Sequence, residues 1–322
     1  MNTSLYFNMN IDKSEDSGDM MSINDIMRKN TTESLNNLRH LQDVDKSDYF
    51  LVYGIPVMKN NDALVNQIRT KVYASISYIQ QQYNIKIVIY TKIEGAFFKP
   101  EFKQFTVVNH FKTNSLGYPL VTSLLEDMKS KWSSVYYGIL SPETFQSSTL
   151  IHTLLTIKNS MSKERILRKN MLVGHRHLVP TNQIQMNYIT QFDYDLHVSN
   201  LCTEDNEDNS FTFDFFIFSK NADLSELCPI AYGEPYVERL LTSYCFYKNI
   251  QVIDVSTTVS TIHGMNPLLN STVTSVAVTN GLCVNKYNTL QTENKLNWKT
   301  INTRSYFDNV TFVNPIIKVR VF

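Results

Sequence analysis

Two neighbouring stretches decide the fold: residues 211–220, FTFDFFIFSK, and residues 227–266, LCPIAYGEPYVERLLTSYCFYKNIQVIDVSTTVSTIHGMN. The first is an apolar run of strand length that carries one acid, Asp214. The second starts with a turn between Pro229 and Pro235, continues with helical apolar spacing, and ends in a β-branched strand and His263. Strand, turn, helix and strand in this order predict one edge of an α/β active site.

The preceding segments show the same alternation of elements. Residues 49–57 form an apolar run, residues 61–82 place apolar side chains at helical spacing, and residues 85–91 are β-branched. A strand, a helix and a strand in succession predict a parallel sheet with a crossover connection. Residues 135–140 predict a further strand, and SPETF (141–145) predicts a helix start with Ser141 as its N-cap.

The ends of the chain differ from this pattern. Residues 1–48 are rich in Asn, Ser, Asp and Lys and predict a flexible N-terminal arm. Residues 269–322 alternate polar and apolar side chains, including a hairpin-like segment, and predict a β-rich C-terminal extension. The sequence therefore predicts one α/β domain over residues 49–268 between these two parts.

Composition narrows the class of protein. Thirty basic and thirty acidic residues cancel, so no overall field attracts nucleic acid. Without a signal peptide or an apolar window of about 18 residues, we expect a cytoplasmic protein with no membrane span. The cysteines show no C-x-x-C spacing, so we expect buried free thiols in a reducing compartment. They are Cys202, Cys228, Cys245 and Cys283.

The order of several short motifs over residues 50–266 resembles that of GT-A type nucleotide-diphospho-sugar glycosyltransferases. These motifs are GYPL (117–120), GHR (174–176), DFFIF (214–218), PIAYGEP (229–235), VID (252–254) and IH (262–263). The resemblance implies a mostly parallel sheet flanked by helices. It also implies sugar transfer from a nucleotide-sugar donor to a hydroxyl acceptor, assisted by Mn²⁺ or Mg²⁺.

The same resemblance implies roles for individual residues. Asp214 and Glu238 are the implied catalytic carboxylates, and His263 is the implied metal ligand. The implied donor-binding residues are Gly117, Pro119, Arg176 and Asp254.

Residue chemistry leaves alternatives open for these side chains. A carboxylate inside an apolar strand is expensive to bury, so Asp214 is expected either at a strand end facing a cleft or in a structural hydrogen-bond network. Glu238 is either a general base or a solvated helix carboxylate. Arg176 is either a diphosphate contact or a surface arginine. His263 is expected at the carboxyl end of a strand, as a metal ligand or a phosphate contact.

Two departures from the family pattern favour an alternative function. The position of the family's metal-binding aspartate aligns with Gly138, and VERL (237–240) replaces its W-D-N-W box. The alternative is a catalytically decayed fold that serves as a structural subunit of a larger assembly, such as a virion, through the arm and the C-terminal strand. A literal D-x-D at 193–195 lies in an acidic segment, where such charges are usually solvated.

Overall fold

The computed structural model describes residues 48–59, 62–93, 104–162, 166–185, 190–203, 212–265, 279–287, 298–302 and 316–320. The predicted N-terminal arm, apart from Asp48, and the first half of the predicted hairpin lie outside these residues. Within the described part of the chain, no helix combines the length and the apolar character needed to cross a membrane.

Among the residues that the structure describes, nine strands form the main sheet. They are β1 (Tyr49–Val57), β2 (Ile85–Thr91), β3 (Thr106–Val108), β4 (Ser134–Leu140), β6 (Asn170–His175), β8 (Phe213–Ser219), β9 (Gln251–Asp254), β11 (Trp298–Asn302) and β12 (Ile316–Arg320). A second sheet contains three short strands within the described ranges. They are β5 (Thr144–Gln146), β7 (His177–Pro180) and β10 (Thr261–Met265).

Helices connect and cover the strands of the main sheet. They are α1 (Ala63–Gln82), α2 (Val121–Lys131), α3 (Thr149–Ser162), α4 (Gln191–Leu201), α5 (Val237–Tyr247) and α6 (Thr279–Tyr287), with a short 3₁₀ turn at Thr181–Gln183.

The main sheet is mostly parallel, as the sequence predicts. Its order is β11-β12-β9-β6-β8-β4-β1-β2-β3. Of the seven strands from β9 to β3, six run in one direction, and β8 runs against its neighbours β4 and β6. The antiparallel β8 therefore begins at the edge where its neighbours end.

The strand order reverses beside β1. The chain leaves β1 through α1 to β2 on one side, whereas β4 pairs with the other side of β1. At such a switch point the connections diverge, and they leave a crevice outside the carboxyl ends of the strands. The residues that follow β1 and β4 therefore border this crevice.

Alternation along β1 separates the two cores. Leu51, Tyr53 and Ile55 face the layer that contains α1 and α3, whereas Val52 faces the layer that contains α2 and α5. Both layers are deeply buried, which is why the central strands read as continuous apolar runs.

Two sequence-based expectations of local structure are wrong. SPETF does not begin a helix: Thr144–Gln146 is strand β5, and α3 begins at Thr149. The strand forms because β10, from far along the chain, pairs with it. The second half of the predicted hairpin is helix α6, while β11 and β12 extend the main sheet at the β9 edge.

The D-x-D segment has a structural explanation. Asp193 accepts hydrogen bonds from Thr190 and forms a capping box at the start of α4. Asp195 accepts a 2.7 Å hydrogen bond from the backbone N–H of Ser148, immediately before α3. Instead of being free loop charges, the two carboxylates stabilise helix N-termini, where unpaired N–H groups favour an anion.

Gly138 provides a test of sheet packing. A Cβ atom there would lie 2.8 Å from Tyr53 Cε2 and 2.9 Å from Ile217 Cγ1. We expect Gly138→Ala to reduce the free energy of unfolding by about 1–3 kcal/mol, because both neighbours must move within a packed core. Urea denaturation measures this change.

The matched control is Gly117→Asn. Gly117 has φ +85° and open space around its Cα, and asparagine tolerates this conformation. We expect a cost below about 1 kcal/mol. An equal cost for both variants would contradict the packing described at Gly138.

Candidate active site

A cavity of about 340 Å³ lies at the carboxyl edge of the main sheet. Met58 follows β1, Ser141 to Glu143 follow β4, and Arg176 follows β6. Asp214 reaches the same edge because β8 is antiparallel. Topology alone therefore brings residues from four separate strands to one cavity.

Asp214 is the centre of the polar network in this cavity. Its side chain is 3% exposed. Arg176 Nη1 lies 2.9 Å from Oδ1, while His263 Nδ1 at 2.8 Å and the Thr144 hydroxyl at 2.6 Å contact Oδ2. The two arrangements expected for Asp214 are therefore both present, since it is strongly hydrogen-bonded and also lies at a strand end facing a cleft.

The charges of this cluster stabilise one another. Burial by itself would raise the pKa of Asp214, but the charge of His263, its hydrogen bond and the Arg176 guanidinium hold that pKa well below its usual range. Burial likewise opposes the charged form of His263, but the Asp214 carboxylate outweighs it and raises the pKa of the imidazole. The cluster therefore holds an ionised carboxylate between two cationic groups.

Glu238 behaves differently from Asp214. It lies in the first turn of α5, half-buried against the cavity. Burial raises its pKa from 4.5 to about 7, and the nearby Asp214 charge adds to the rise while Arg176 opposes it. Glu238 is therefore neither a fully solvated carboxylate nor a permanently ionised one, and it can exchange a proton near neutral pH.

A second ion pair forms another wall of the cavity. Arg69 of α1 donates to Glu143 at 2.6 Å and to the Met58 carbonyl at 2.8 Å. Ser141 Oγ lies 3.3 Å from the other carboxylate oxygen of Glu143. The sequence analysis did not identify Arg69 or Glu143 as site residues. The available signal for Glu143 was its position in SPE (141–143), directly after a buried strand.

The wall loop, residues 229–236, closes the cavity on a further side. Gly233 in this loop has φ +99°, and a Cβ atom there would lie 2.9 Å from both Met58 Cε and Tyr118 Cδ1. The turn therefore requires glycine for its backbone conformation as well as for space. Tyr232 also borders the cavity, and burial raises the pKa of its hydroxyl.

The four predicted donor-binding residues lie in three different places. Arg176 borders the cavity. Pro119 contacts the wall loop, since its carbonyl accepts a 2.8 Å hydrogen bond from the N–H of Tyr232, and Gly117 lies in the adjoining turn. Asp254 ends β9, accepts a hydrogen bond from the Ser256 N–H at 2.9 Å, and is not among the residues that border the cavity.

His263 lies in the cavity but not at the predicted place in a strand. It is in the middle of β10, in the second sheet, and its Nδ1 is directed to Asp214. The sheet that carries β10 also contains β7, which follows Arg176. The second sheet therefore brings both cationic partners to Asp214.

No group of three or more His, Cys, Asp or Glu side chains among the described residues is arranged as a metal-binding set. Both oxygens of Asp214 accept from cationic or hydroxyl donors, and Glu143 is paired with Arg69. Gly138 lies in the middle of β4 rather than at its carboxyl end, so its lack of a carboxylate says nothing about this cavity.

Comparison with solved structures gives structural likenesses, among them one that is distant in sequence. No protein-family model matches the sequence, and no curated protein matches it. Among solved structures, the inositol-1-phosphate CTP transferase from T. maritima is similar with a TM-score of 0.35 and 12% sequence identity. The likeness covers 75% of this chain and 97% of that chain.

The Asp214 cluster generates a prediction about His263. In Asp214→Asn the imidazole stays buried but loses the negative charge, so its pKa should fall from above 6.5 to below it. Removing one partner of a buried ion pair should also cost about 3 kcal/mol. Histidine NMR titration and urea denaturation measure the two effects.

The pH dependence of the wild-type protein has a definite sign. Because the folded state holds the His263 proton more tightly, this part of the stability is present below about pH 6.5 and is lost as the pH rises through the raised pKa. His152 is an internal control, since burial alone lowers its pKa and Asp214→Asn should leave it unchanged. An unchanged His263 titration in the variant would show that the pair does not form.

Glu238 generates a prediction of pH-dependent stability. Its folded-state pKa of about 7 exceeds the ordinary 4.5, so the wild-type protein loses stability relative to Glu238→Gln as the pH rises from 4.5 to 8. With allowance for partial exposure, the difference should be about 1–2 kcal/mol. A stability difference between the wild-type protein and Glu238→Gln that stays flat from pH 4.5 to 8 would contradict the raised pKa of Glu238.

Proposed function

We propose that the cavity binds a nucleotide-sugar donor and that the protein transfers the sugar to an acceptor hydroxyl, with Glu238 as the general base. One observation carries the proposal: a carboxylate with a pKa of about 7 and an Asp–His–Arg cluster border the same cavity beside the switch point of the sheet. Ligands of open α/β sheets bind at such a crevice.

The size of the cavity suits a part of this ligand. A volume of about 340 Å³ is at the lower end of the range for small-molecule sites. The sugar and the adjoining phosphate would occupy the enclosed part, and the nucleoside would extend toward the open rim. Arg176 and His263 border the cavity, and they favour the phosphate because guanidinium and imidazolium groups bind phosphate oxygens with charge-assisted hydrogen bonds.

The proposed reaction uses the two carboxylates in different roles. The acceptor hydroxyl gives its proton to ionised Glu238, its oxygen attacks the anomeric carbon, and the bond from that carbon to the phosphate oxygen breaks. The nucleoside diphosphate leaves as an anion that Arg176 and His263 stabilise. Asp214 does not take the proton in this scheme, because its two cationic partners keep it ionised.

A second candidate function has its own support. Arg69 and Arg176 are each paired with a carboxylate, Glu143 and Asp214, so the cavity contributes less uncompensated positive charge than its two arginines suggest. A catalytically decayed domain that acts as a structural or interaction subunit would retain this internally balanced cluster. Because a fold can host unrelated functions, ligand binding and turnover must be measured separately.

Thermal shift with UDP- and GDP-sugars, with and without Mn²⁺, tests donor binding. A donor present at 100 times its Kd should stabilise the folded state by about 2.7 kcal/mol, because it binds that state alone. No shift with any donor at millimolar concentration would contradict the binding site. A shift that requires Mn²⁺ would show that carboxylates of the cavity bind a cation, which would contradict the pairing of Asp214 and Glu143 with Arg176, His263 and Arg69.

Turnover has a distinct pH signature. Release of nucleoside diphosphate should rise with pH with a midpoint near 7, as Glu238 ionises, and Glu238→Gln should lower kcat by about 10²–10⁴-fold. Glu126→Gln serves as the control, since this carboxylate lies on the exposed face of α2. Donor binding without turnover would support the decayed domain instead.

A further inference from the structure

The wall loop is fastened to α6, the helix that follows the described core of the domain. Cys228, the residue before the loop, forms a disulfide with Cys283 of α6. The expectation of four free thiols is therefore wrong for these two residues, while Cys202 and Cys245 are free. The pairing brings together residues 55 positions apart, which the spacing of cysteines along the sequence could not indicate.

Glu234 joins the loop to the start of α6. Its carboxylate is 4% exposed and accepts from the N–H groups of Thr279 at 2.9 Å and Asn280 at 2.8 Å. Asn114 Nδ2 donates to the same carboxylate at 2.6 Å. Glu234 borders the cavity, yet its carboxylate acts as the N-terminal cap of α6.

Asn280 completes the attachment with its side chain. The amide is fully buried and replaces a strand partner for the loop: Oδ1 accepts from the Ala231 N–H at 2.7 Å, and Nδ2 donates to the carbonyls of Ala231 at 3.1 Å and Pro235 at 2.9 Å. The backbone of the wall loop thus depends on a residue of α6 for several of its hydrogen bonds. An unpaired buried amide or carbonyl is costly, so the loop cannot keep this conformation once α6 leaves.

We propose that α6 is a redox-controlled clamp: the Cys228–Cys283 disulfide keeps α6 on the wall loop, and a dithiol reductant releases it and weakens ligand binding in the cavity. The effect on the loop follows from the contacts of α6, whereas the effect on a ligand rests on the proposed function. Tyr232, Gly233 and Pro235 of the loop border the cavity, and α5 with Glu238 follows the loop directly.

The redox step is a thiol–disulfide exchange. A thiolate of the reductant attacks the sulfur of Cys228, which is the more exposed partner, and the bond between the two cysteine sulfurs breaks, with Cys283 leaving as the thiolate. This attack leaves Cys228 in a mixed disulfide with the reductant. The second thiolate of the reductant then attacks the reductant's own sulfur in that bond, which closes the reductant's disulfide and releases Cys228 as a thiolate. The protein thereby gains two electrons and two protons. Cys228 and Cys283 end as thiols, no longer held by a covalent bond.

Hydrogen exchange tests the clamp without any ligand. With dithiothreitol as the reductant and mass spectrometry to confirm two new thiols, the amides of residues 229–236 should exchange at least about tenfold faster than in the oxidised protein. The amides of β1 and β4 should not change. Unchanged protection of residues 229–236 after complete reduction would overturn the proposal.

Donor affinity tests the consequence for the site. Reduction should raise the Kd of the best UDP- or GDP-sugar at least about tenfold, and Cys228→Ala/Cys283→Ala should show the higher Kd with no further response to dithiothreitol. Asn280→Ala, with the disulfide intact, should also speed exchange in residues 229–236. Faster exchange in the loop with an unchanged Kd would contradict redox control of donor binding. If the oxidised protein binds no donor, the proposed function is rejected. The hydrogen-exchange result would then still show whether the disulfide holds α6 on the loop.

Discussion

The burial of one carboxylate constrains the arrangement of the whole site. Asp214 lies at the start of a strand surrounded by apolar side chains, and an ionised carboxylate in such surroundings needs partners. Arg176, His263 and Thr144 supply them from the end of β6, from β10 and from β5. The packing of three segments that are distant in sequence, namely the end of β6, β5 and β10, therefore depends on the charge of Asp214.

This constraint separates the roles of the two acids. Asp214 is fixed in its ionised form by its partners, whereas Glu238 has burial without comparable compensation and titrates near neutral pH. Two carboxylates in one cavity with widely separated pKa values are typical of acid–base catalysis, because one group exchanges the proton while the other maintains the field. The wall loop adds a further constraint, since its backbone is hydrogen-bonded to α6 by Glu234 and Asn280.

The sequence predicts the sheet better than the site. Apolar runs such as residues 49–57 and 85–91 identify β1 and β2 because strands buried on both faces need apolar residues throughout. Asp214, Glu238, Arg176 and His263 border one cavity, but their contacts with one another depend on the second sheet, which the sequence does not predict. β5, α6 and the Cys228–Cys283 disulfide could not be predicted, because each depends on a partner that is distant in sequence.

The most direct test of the central claim is the location of the bound donor, measured by NMR chemical-shift mapping of the protein titrated with a UDP- or GDP-sugar. Donor binding in the cavity should give the largest shifts at the Arg176 side chain, His263 and the amides near Glu238, with little change in α4, none of whose residues borders the cavity. Large shifts elsewhere, with these groups unchanged at saturation, would contradict this claim.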